Sequence, residues 1–163
     1  MSKEIYLAGG CFWGVEAYFS NLKGVLETEV GYANGNILNP TYQDLINGVA
    51  THAEVVKVKY EIKLDKLLEH FFRIINPFIL HRQGNDIGIQ YRTGIYYLNQ
   101  DDLPIIKKVI REFEAQHSKK TVVEVLPLKN YTKAEEYHQD YLVKNTRGYC
   151  HVDLSLLRPE ERK

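Results

Sequence analysis

The chain contains little cysteine: Cys11 and Cys150 are the only two in 163 residues. A secreted fold held together by several disulfides is therefore excluded, and a permanent disulfide in a reducing compartment would be unusual. The paired Cys and His spacings of structural zinc sites are also missing, since Cys150 and His151 are simply adjacent, and no metal site is expected. Two cysteines do allow a transient catalytic pair.

An excess of charge of either sign is also missing, because Lys plus Arg and Asp plus Glu number 21 each. With no net field to attract nucleic acid or an anionic membrane, neither is expected as a partner. The segment from Met1 to Ile5 lacks the long apolar region of a signal peptide, and no run is long enough to span a bilayer. We therefore expect a cytoplasmic location, and we expect a monomer.

What is present fits one ordinary globular domain, with 44% hydrophobic and 26% charged residues. A chain of this length buries an adequate core. We predict a single domain over residues 1–163, with a loose C-terminal tail from about residue 145, because the segment after Cys150 is polar.

The periodicity of apolar residues predicts both strands and helices. Alternation predicts strands at Glu4 to Ala8, Leu26 to Tyr32, Val55 to Tyr60, Gly94 to Leu98 and Val122 to Leu126. Helical spacing predicts helices at Trp13 to Leu22, at Leu64 to Ile75, at about Asp102 to Ala115, and from Thr132, where Glu135 completes a capping-box pattern ahead of Tyr137 to Leu142.

The first four strands and two helices follow the order β-α-β-β-α-β. This order predicts an α+β fold: a ferredoxin-like two-layer sandwich with a mainly antiparallel sheet and helices on one face. Two long loops decorate it, Ala33 to Ala53 and Asn76 to Arg92. Loops of this length are usually functional when they are ordered.

Cys11 lies between the first predicted strand and the first predicted helix, within Gly9-Gly10-Cys11-Phe12-Trp13-Gly14. A helix N-terminus favours the thiolate, which is the nucleophilic form of cysteine. Phe12 and Trp13 offer an apolar wall for a small, partly apolar substrate. A buried, inert cysteine is the alternative, but two large aromatics and three glycines are a poor way to build a plain helix start.

The hexapeptide resembles the signature of the A-type peptide methionine sulfoxide reductases. Further segments match the family in the same order over roughly residues 4 to 150. They are Gly31-Tyr32-Ala33-Asn34-Gly35, Asn39-Pro40-Thr41-Tyr42, His52-Ala53-Glu54, Arg82-Gln83-Gly84-Asn85-Asp86, Gln90-Tyr91-Arg92 and Glu136-Tyr137-His138-Gln139.

The resemblance implies a set of catalytic roles. Cys11 would attack the sulfoxide sulfur, and Glu54 would protonate the departing oxygen, which requires burial that raises its pKa. Tyr42 and Tyr91 would donate hydrogen bonds to that oxygen, and Asp86 would belong to the surrounding hydrogen-bond network. His138 and Arg92 would have supporting or structural roles, and both are left outside this set.

The resemblance also implies how the enzyme is recycled. Attack on the sulfoxide would leave a sulfenic acid on Cys11, and Cys150 would condense with it to a disulfide that thioredoxin, or another dithiol, reduces. No bound cofactor is implied. The implied substrate is the S epimer of methionine sulfoxide, free or in peptides and oxidised proteins, whose repair the enzyme would perform.

Three other interpretations remain open on the residues alone. A thiol peroxidase or disulfide oxidoreductase also uses a reactive cysteine with a distant partner, although no Cys-x-x-Cys is present. A second interpretation makes the cysteines zinc ligands together with some of the six histidines. A scaffold or binding domain remains possible if Cys11 is unreactive.

Overall fold

The architecture is a six-stranded sheet with helices packed on one face, described for residues 3–163 in a computed structural model. The strands are β1 (Lys3–Gly9), β2 (Val25–Ala33), β3 (Ala53–Tyr60), β4 (Arg82–Gln83), β5 (Asp86–Ile87), β6 (Thr93–Tyr97), β7 (Glu124–Pro127) and β8 (Thr132–Lys133). The helices are α1 (Phe12–Ser20), α2 (Tyr42–Ile46), α3 (Leu64–Ile74), α4 (Leu103–His117) and α5 (Tyr141–Lys144). The main sheet has the order β7-β6-β1-β3-β2-β8, and β4 pairs with β5 in a separate hairpin.

The predicted fold class is confirmed. The order β-α-β-β-α-β is realised as β1, α1, β2, β3, α3 and β6, and the four central strands lie in the order β6-β1-β3-β2 of a ferredoxin-like split unit. Every pairing in the main sheet is antiparallel except that of β6 with β7, among residues 3–163. In the same part of the chain, no helix combines the length and hydrophobicity of a membrane span.

The side chains on the two faces of β1 pack into different hydrophobic clusters. Ile5 and Leu7 are fully buried in the core beneath the helices. Tyr6 and Ala8 alternate with them and belong to a smaller cluster on the opposite face, which Tyr131 helps to cover. This alternation is the signal from which the strand was predicted.

The predicted fourth helix from Thr132 is wrong. Thr132 and Lys133 instead form β8 and pair with β2. The Glu135 carboxylate does not cap a helix of its own segment, because it accepts hydrogen bonds from the Tyr32 hydroxyl at 2.7 Å and from the backbone N–H of Tyr42, the first residue of α2, at 3.0 Å. Tertiary partners therefore override a local capping pattern, and helix begins only at α5.

Arg92 ties the two long loops together and joins them to β7. Its guanidinium donates to the backbone carbonyls of Asn34, Thr51 and Ile89, each at 2.9 Å, and pairs with Glu124 at 2.7 Å. Because the Arg92 side chain is buried, these bonds hold the loops in fixed relation to the sheet.

The C-terminal segment differs from the loose tail that we expected. Val152 and Leu157 are buried in the core, and the Arg73 guanidinium holds both carboxylate oxygens of Glu161, at 2.8 and 3.2 Å. The polar residues that suggested a loose tail instead form ion pairs and backbone hydrogen bonds.

We expect this ion pair to stabilise the fold above about pH 4.5 and to lose its effect in acid. The bond from Arg73 lowers the pKa of Glu161 from 4.5 to about 2, so the contribution is lost as pH falls through that window. Glu161→Gln should lower the free energy of unfolding by about 1 kcal/mol at pH 7 and by almost nothing near pH 2.

Urea unfolding of the variant and the wild type at both pH values measures this difference. Glu160→Gln is the matched control, because the Glu160 side chain is exposed and the contact of this residue with Lys23 uses its backbone carbonyl. An equal loss for Glu161→Gln at both pH values would contradict the assignment.

Candidate active site

Cys11 occupies the N-cap of α1, immediately after β1, as the sequence predicted. The connection turns at Gly10, whose φ of 90° lies in the region that glycine adopts readily. The Cys11 side chain is buried, with 7% of the residue exposed, and the backbone N–H of Trp13 lies within reach of its sulfur. The first turn of α1 therefore presents the thiol beneath the surface rather than on it.

The expected preference of Cys11 for the thiolate is wrong for this resting state. Burial raises the pKa of the thiol well above its ordinary value, and the neighbouring Glu54 carboxylate raises it further. The Trp13 N–H lowers the pKa but does not outweigh these two effects. The effect of burial on the pKa of Cys11 therefore outweighs that of the helix N-terminus, and the thiol is protonated at neutral pH.

Glu54 is buried within β3, with 1% of the residue exposed, beside Cys11. Burial raises the pKa of its carboxyl from 4.5 to about 8, and the charge of Asp86 raises it as well. The Phe12 backbone N–H, which donates to Oε1 at 3.2 Å, lowers it. The carboxyl is therefore largely protonated near neutral pH, as proton donation to a substrate requires.

Tyr42 and Tyr91 bring the two long loops together at Glu54. Tyr42 begins α2, and Tyr91 ends a 3₁₀ turn at Ile89–Tyr91. The Tyr91 hydroxyl is close enough to Tyr42 to lower the pKa of Tyr42. Burial, and then the Glu54 carboxylate, raise the pKa of both tyrosines, which keeps the hydroxyls protonated as donors.

Asp86 reaches the same site from β5. Burial raises the pKa of its carboxyl, whereas His151 and the Tyr149 hydroxyl lower it. Its charge in turn raises the pKa of Cys11 and of Glu54. The structure therefore gathers Cys11, Glu54, Tyr42, Tyr91 and Asp86, from five separate parts of the chain, into one cluster.

The two predicted substrate-binding aromatics differ in exposure. Phe12 is 1% exposed and packs against the rings of Tyr32 and His138, so it supports the site from within rather than forming an open wall. Trp13 is partly exposed and stacks on Tyr141 with the ring centroids 3.7 Å apart. Trp13 alone of the pair presents a partly accessible ring.

His138 holds this aromatic group together, which is a supporting role of the kind that the sequence allowed for it. Its Nδ1 accepts a hydrogen bond from Trp13 Nε1 at 3.0 Å, and its ring also contacts Phe12 and Tyr42. Burial lowers the pKa of the imidazole, so it remains a neutral acceptor. The segment that contains His138 and precedes Tyr141 was the available signal, but its contacts with Trp13 are visible only in the fold.

Cys150 lies against the first turn of α1. Its Sγ donates to the Val152 carbonyl at 3.2 Å, and a Cβ placed on Gly14 would come within 3.0 Å of the same sulfur. Gly14 belongs to the first turn of α1, which Cys11 precedes as the N-cap, and the charge of Cys150 raises the pKa of Cys11, so the two cysteines are close to each other. Both cysteines are free thiols.

Across residues 3–163, no group of three His, Cys, Asp or Glu side chains is arranged to hold a metal ion. A groove of about 530 Å³ lies between α3 and α4, and the residues of the Cys11 cluster do not line it.

Comparisons with known proteins all point to one family. The sequence pattern described as "Peptide methionine sulfoxide reductase" matches residues 3–163. The protein named peptide methionine sulfoxide reductase MsrA from Clostridium perfringens is 55% identical over 155 residues, covering 93% of this chain and 99% of the relative. The protein of the same name from Ureaplasma urealyticum is 50% identical over 159 residues, covering 96% of each.

Solved structures agree with these sequence relatives. Mxr1 from Saccharomyces cerevisiae in its reduced form is 36% identical, with a TM-score of 0.84 over 91% of this chain and 88% of that one. Mxr1 in complex with Trx2 is also similar, with 30% identity and a TM-score of 0.59 over 86% and 84% of the two chains.

Proposed function

The chain belongs to the peptide methionine sulfoxide reductase family, of the MsrA type, and from this membership we propose how its own residues reduce methionine sulfoxide. The observation that carries the proposal is the buried pair of Cys11 and Glu54. Glu54, with a pKa raised to about 8, lies beside a protonated thiol and next to two tyrosine hydroxyls. A nucleophile, a proton donor and hydrogen-bond donors are what sulfoxide reduction needs.

In the first step, Cys11 attacks the sulfoxide sulfur while Glu54 gives its proton to the sulfoxide oxygen. The proton of the Cys11 thiol replaces the one that Glu54 has given away. The oxygen is transferred to Cys11, so methionine sulfoxide and a thiol become methionine and a sulfenic acid. Tyr42 and Tyr91 donate hydrogen bonds to the oxygen as charge develops there. Trp13, backed by Phe12, contacts the methyl end of the substrate.

In the second step, Cys150 condenses with the sulfenic acid. The Cys150 thiol and the Cys11 sulfenic acid form one disulfide and one water molecule. The position of Cys150 against Gly14, in the helical turn that follows Cys11, supports this pairing. No further cysteine exists to carry the disulfide onward, so the reductant acts directly on Cys11 and Cys150.

Thioredoxin is the proposed reductant, and no bound cofactor is needed. The similar yeast protein has been solved in complex with Trx2, which supports a thioredoxin partner. The proposed substrates are the S epimer of methionine sulfoxide, free and in oxidised peptides and proteins, so that the enzyme repairs oxidised proteins. Two free thiols suit a reducing compartment, which supports a cytoplasmic location. We propose a monomer that binds neither nucleic acid nor membrane.

A single turnover tests this function. Fully reduced protein is mixed with excess racemic methionine sulfoxide and no reductant, and released methionine and remaining thiols are counted together. We expect about one methionine per chain, taken from the S epimer, with loss of both thiols, because one sulfoxide supplies the two oxidising equivalents of one disulfide. Cys150→Ser should release the same methionine and leave a sulfenic acid on Cys11.

Two outcomes would change the proposal. Loss of one thiol in the wild type would keep Cys11 as the nucleophile but remove Cys150 from the resolving role. Absence of methionine would overturn the proposed function, and consumption of peroxide by the same protein would then favour a thiol peroxidase.

A further inference from the structure

We propose that His151 is the positioning residue for Cys150. One ring nitrogen fastens the segment that bears Cys150 to the Gly9 carbonyl, and the other fastens it to Asp86 through a shared proton. This inference rests on the proposed function, because it concerns the second step, formation of the Cys11–Cys150 disulfide. No contact of His151 with the substrate is required.

The His151 ring is held from both sides. Its Nε2 lies 2.8 Å from the Gly9 carbonyl oxygen, and because a carbonyl only accepts, Nε2 carries a proton. Nδ1 on the other side of the ring faces Asp86 Oδ2 at 3.9 Å. The His151 side chain is 3% exposed and that of Asp86 is 16% exposed, so solvent has little access to the contact.

The contact between His151 and Asp86 is not a hydrogen bond at its present length of 3.9 Å. His151 Nδ1 and Asp86 Oδ2 are both buried, and neither has a hydrogen-bond partner among residues 3–163. With Nε2 already protonated, a neutral ring presents a lone pair to a carboxylate, and two acceptors then face each other without a bond. A proton on one of the two atoms lets the pair close from 3.9 Å to hydrogen-bond length, which satisfies both atoms and joins the two segments.

The surroundings determine when this proton is present. Burial lowers the pKa of the His151 imidazole and raises that of the Asp86 carboxyl, so a neutral carboxyl bonded to a neutral ring is favoured over an ion pair. The contact is therefore complete at low pH and is lost as pH rises. The other titratable groups close to the contact are Tyr149, Cys11, Glu54 and Cys150.

Gly10 before Cys11 and Gly14 after it leave room for the segment that bears Cys150. A Cβ on Gly10 would lie 2.9 Å from His151 Nε2, and a Cβ on Gly14 would lie 3.0 Å from Cys150 Sγ. Each glycine therefore leaves room for one of two consecutive residues of the tail. The first turn of α1 is shaped to receive His151 and Cys150 together.

Holding the segment increases the effective concentration of the Cys150 thiol at Cys11. The reaction itself is unchanged: a sulfenic acid and a thiol give a disulfide and water. Without the contact, the Cys150 segment samples more positions, and we expect disulfide formation to slow about tenfold. Release of methionine precedes this step and should not change.

Two substitutions distinguish the contact of the His151 ring with Gly9 from its contact with Asp86. The amide of His151→Gln reaches the position of Nε2 and retains the Gly9 bond without facing Asp86. The amide of His151→Asn reaches the position of Nδ1 without the Gly9 bond. Val152→Ala is the matched control, because it loosens the same segment at a buried apolar residue that contacts Gly14 without removing a titratable group.

The experiment is a rapid-quench single turnover with methionine sulfoxide between about pH 5 and about pH 9, the range around the ordinary histidine pKa. Methionine release and thiol loss are followed separately. We expect both His151 variants to release methionine within about twofold of the wild type and to form the disulfide about tenfold more slowly at low pH. For His151→Gln this ratio should fall towards one as pH rises and the wild type loses the Asp86 contact, whereas for His151→Asn, which lacks the Gly9 bond at every pH, it should stay above one.

For Val152→Ala, the ratio of disulfide rates should stay constant with pH. Wild-type disulfide rates in both His151 variants at every pH would overturn the inference, and so would slowed methionine release in both, which would place His151 in the first step. Failure of the wild type to release methionine would instead overturn the proposed function, so the two failures are distinguishable.

Discussion

Cys11→Ser is expected to abolish methionine formation, with a loss on the order of 10⁴-fold or more in the rate of the first step. A serine hydroxyl is a much weaker nucleophile than a thiolate, and no other cysteine occupies the N-cap of α1. Serine has nearly the same size as cysteine, so the buried site should retain its packing. Methionine released in a single turnover from excess methionine sulfoxide measures the effect.

Cys150→Ser is the control for this prediction. It removes the other thiol of the chain but leaves the first step intact, so it should release about one methionine per chain in the same assay. Methionine from Cys11→Ser at a rate close to that of Cys150→Ser would show that Cys11 is not the nucleophile.

Glu54→Gln is expected to lower the rate of methionine formation by about 10²- to 10⁴-fold, the usual contribution of a general acid. The amide occupies the same volume and can still accept the Phe12 N–H, but it has no proton to give to the sulfoxide oxygen. Alkylation of Cys11 should still occur, because the thiol remains in place. Single-turnover methionine release and iodoacetamide labelling measure the two properties separately.

The same substitution has an opposite effect on stability. The pKa of Glu54 is raised from 4.5 to about 8 in the folded protein, so the wild type loses stability as pH rises through that window. The free energy of unfolding of Glu54→Gln, relative to the wild type, should therefore increase between these pH values. Urea unfolding at about pH 5 and about pH 8 measures the change.

Glu27→Gln is the matched control, because Glu27 is an exposed glutamate on the neighbouring strand β2. It should leave both the rate and the pH dependence of stability unchanged. Near-normal turnover by Glu54→Gln would remove Glu54 from the acid role, whatever its effect on stability.

Much of the fold follows from short-range patterns. The alternation of residues in β1 and the helical spacing of α3 depend on a few consecutive residues, so the β-α-β-β-α-β order was predictable. The pattern from Thr132 to Glu135 failed because β2 and the Tyr42 backbone, both far away along the chain, offered better partners. A local signal is reliable only where no distant group competes for the same atoms.

The sequence by itself determined the family, the order of the central elements and the placement of Cys11 at a helix start. Only the tertiary structure decided that burial raises the pKa of Cys11 and of Glu54, that Phe12 is enclosed, and that the Cys150 segment rests on α1. The physical reason is the distance along the chain over which each effect acts. Periodicity and capping act within a few residues, whereas solvent exclusion and the interaction of charges depend on which distant segments the fold brings together.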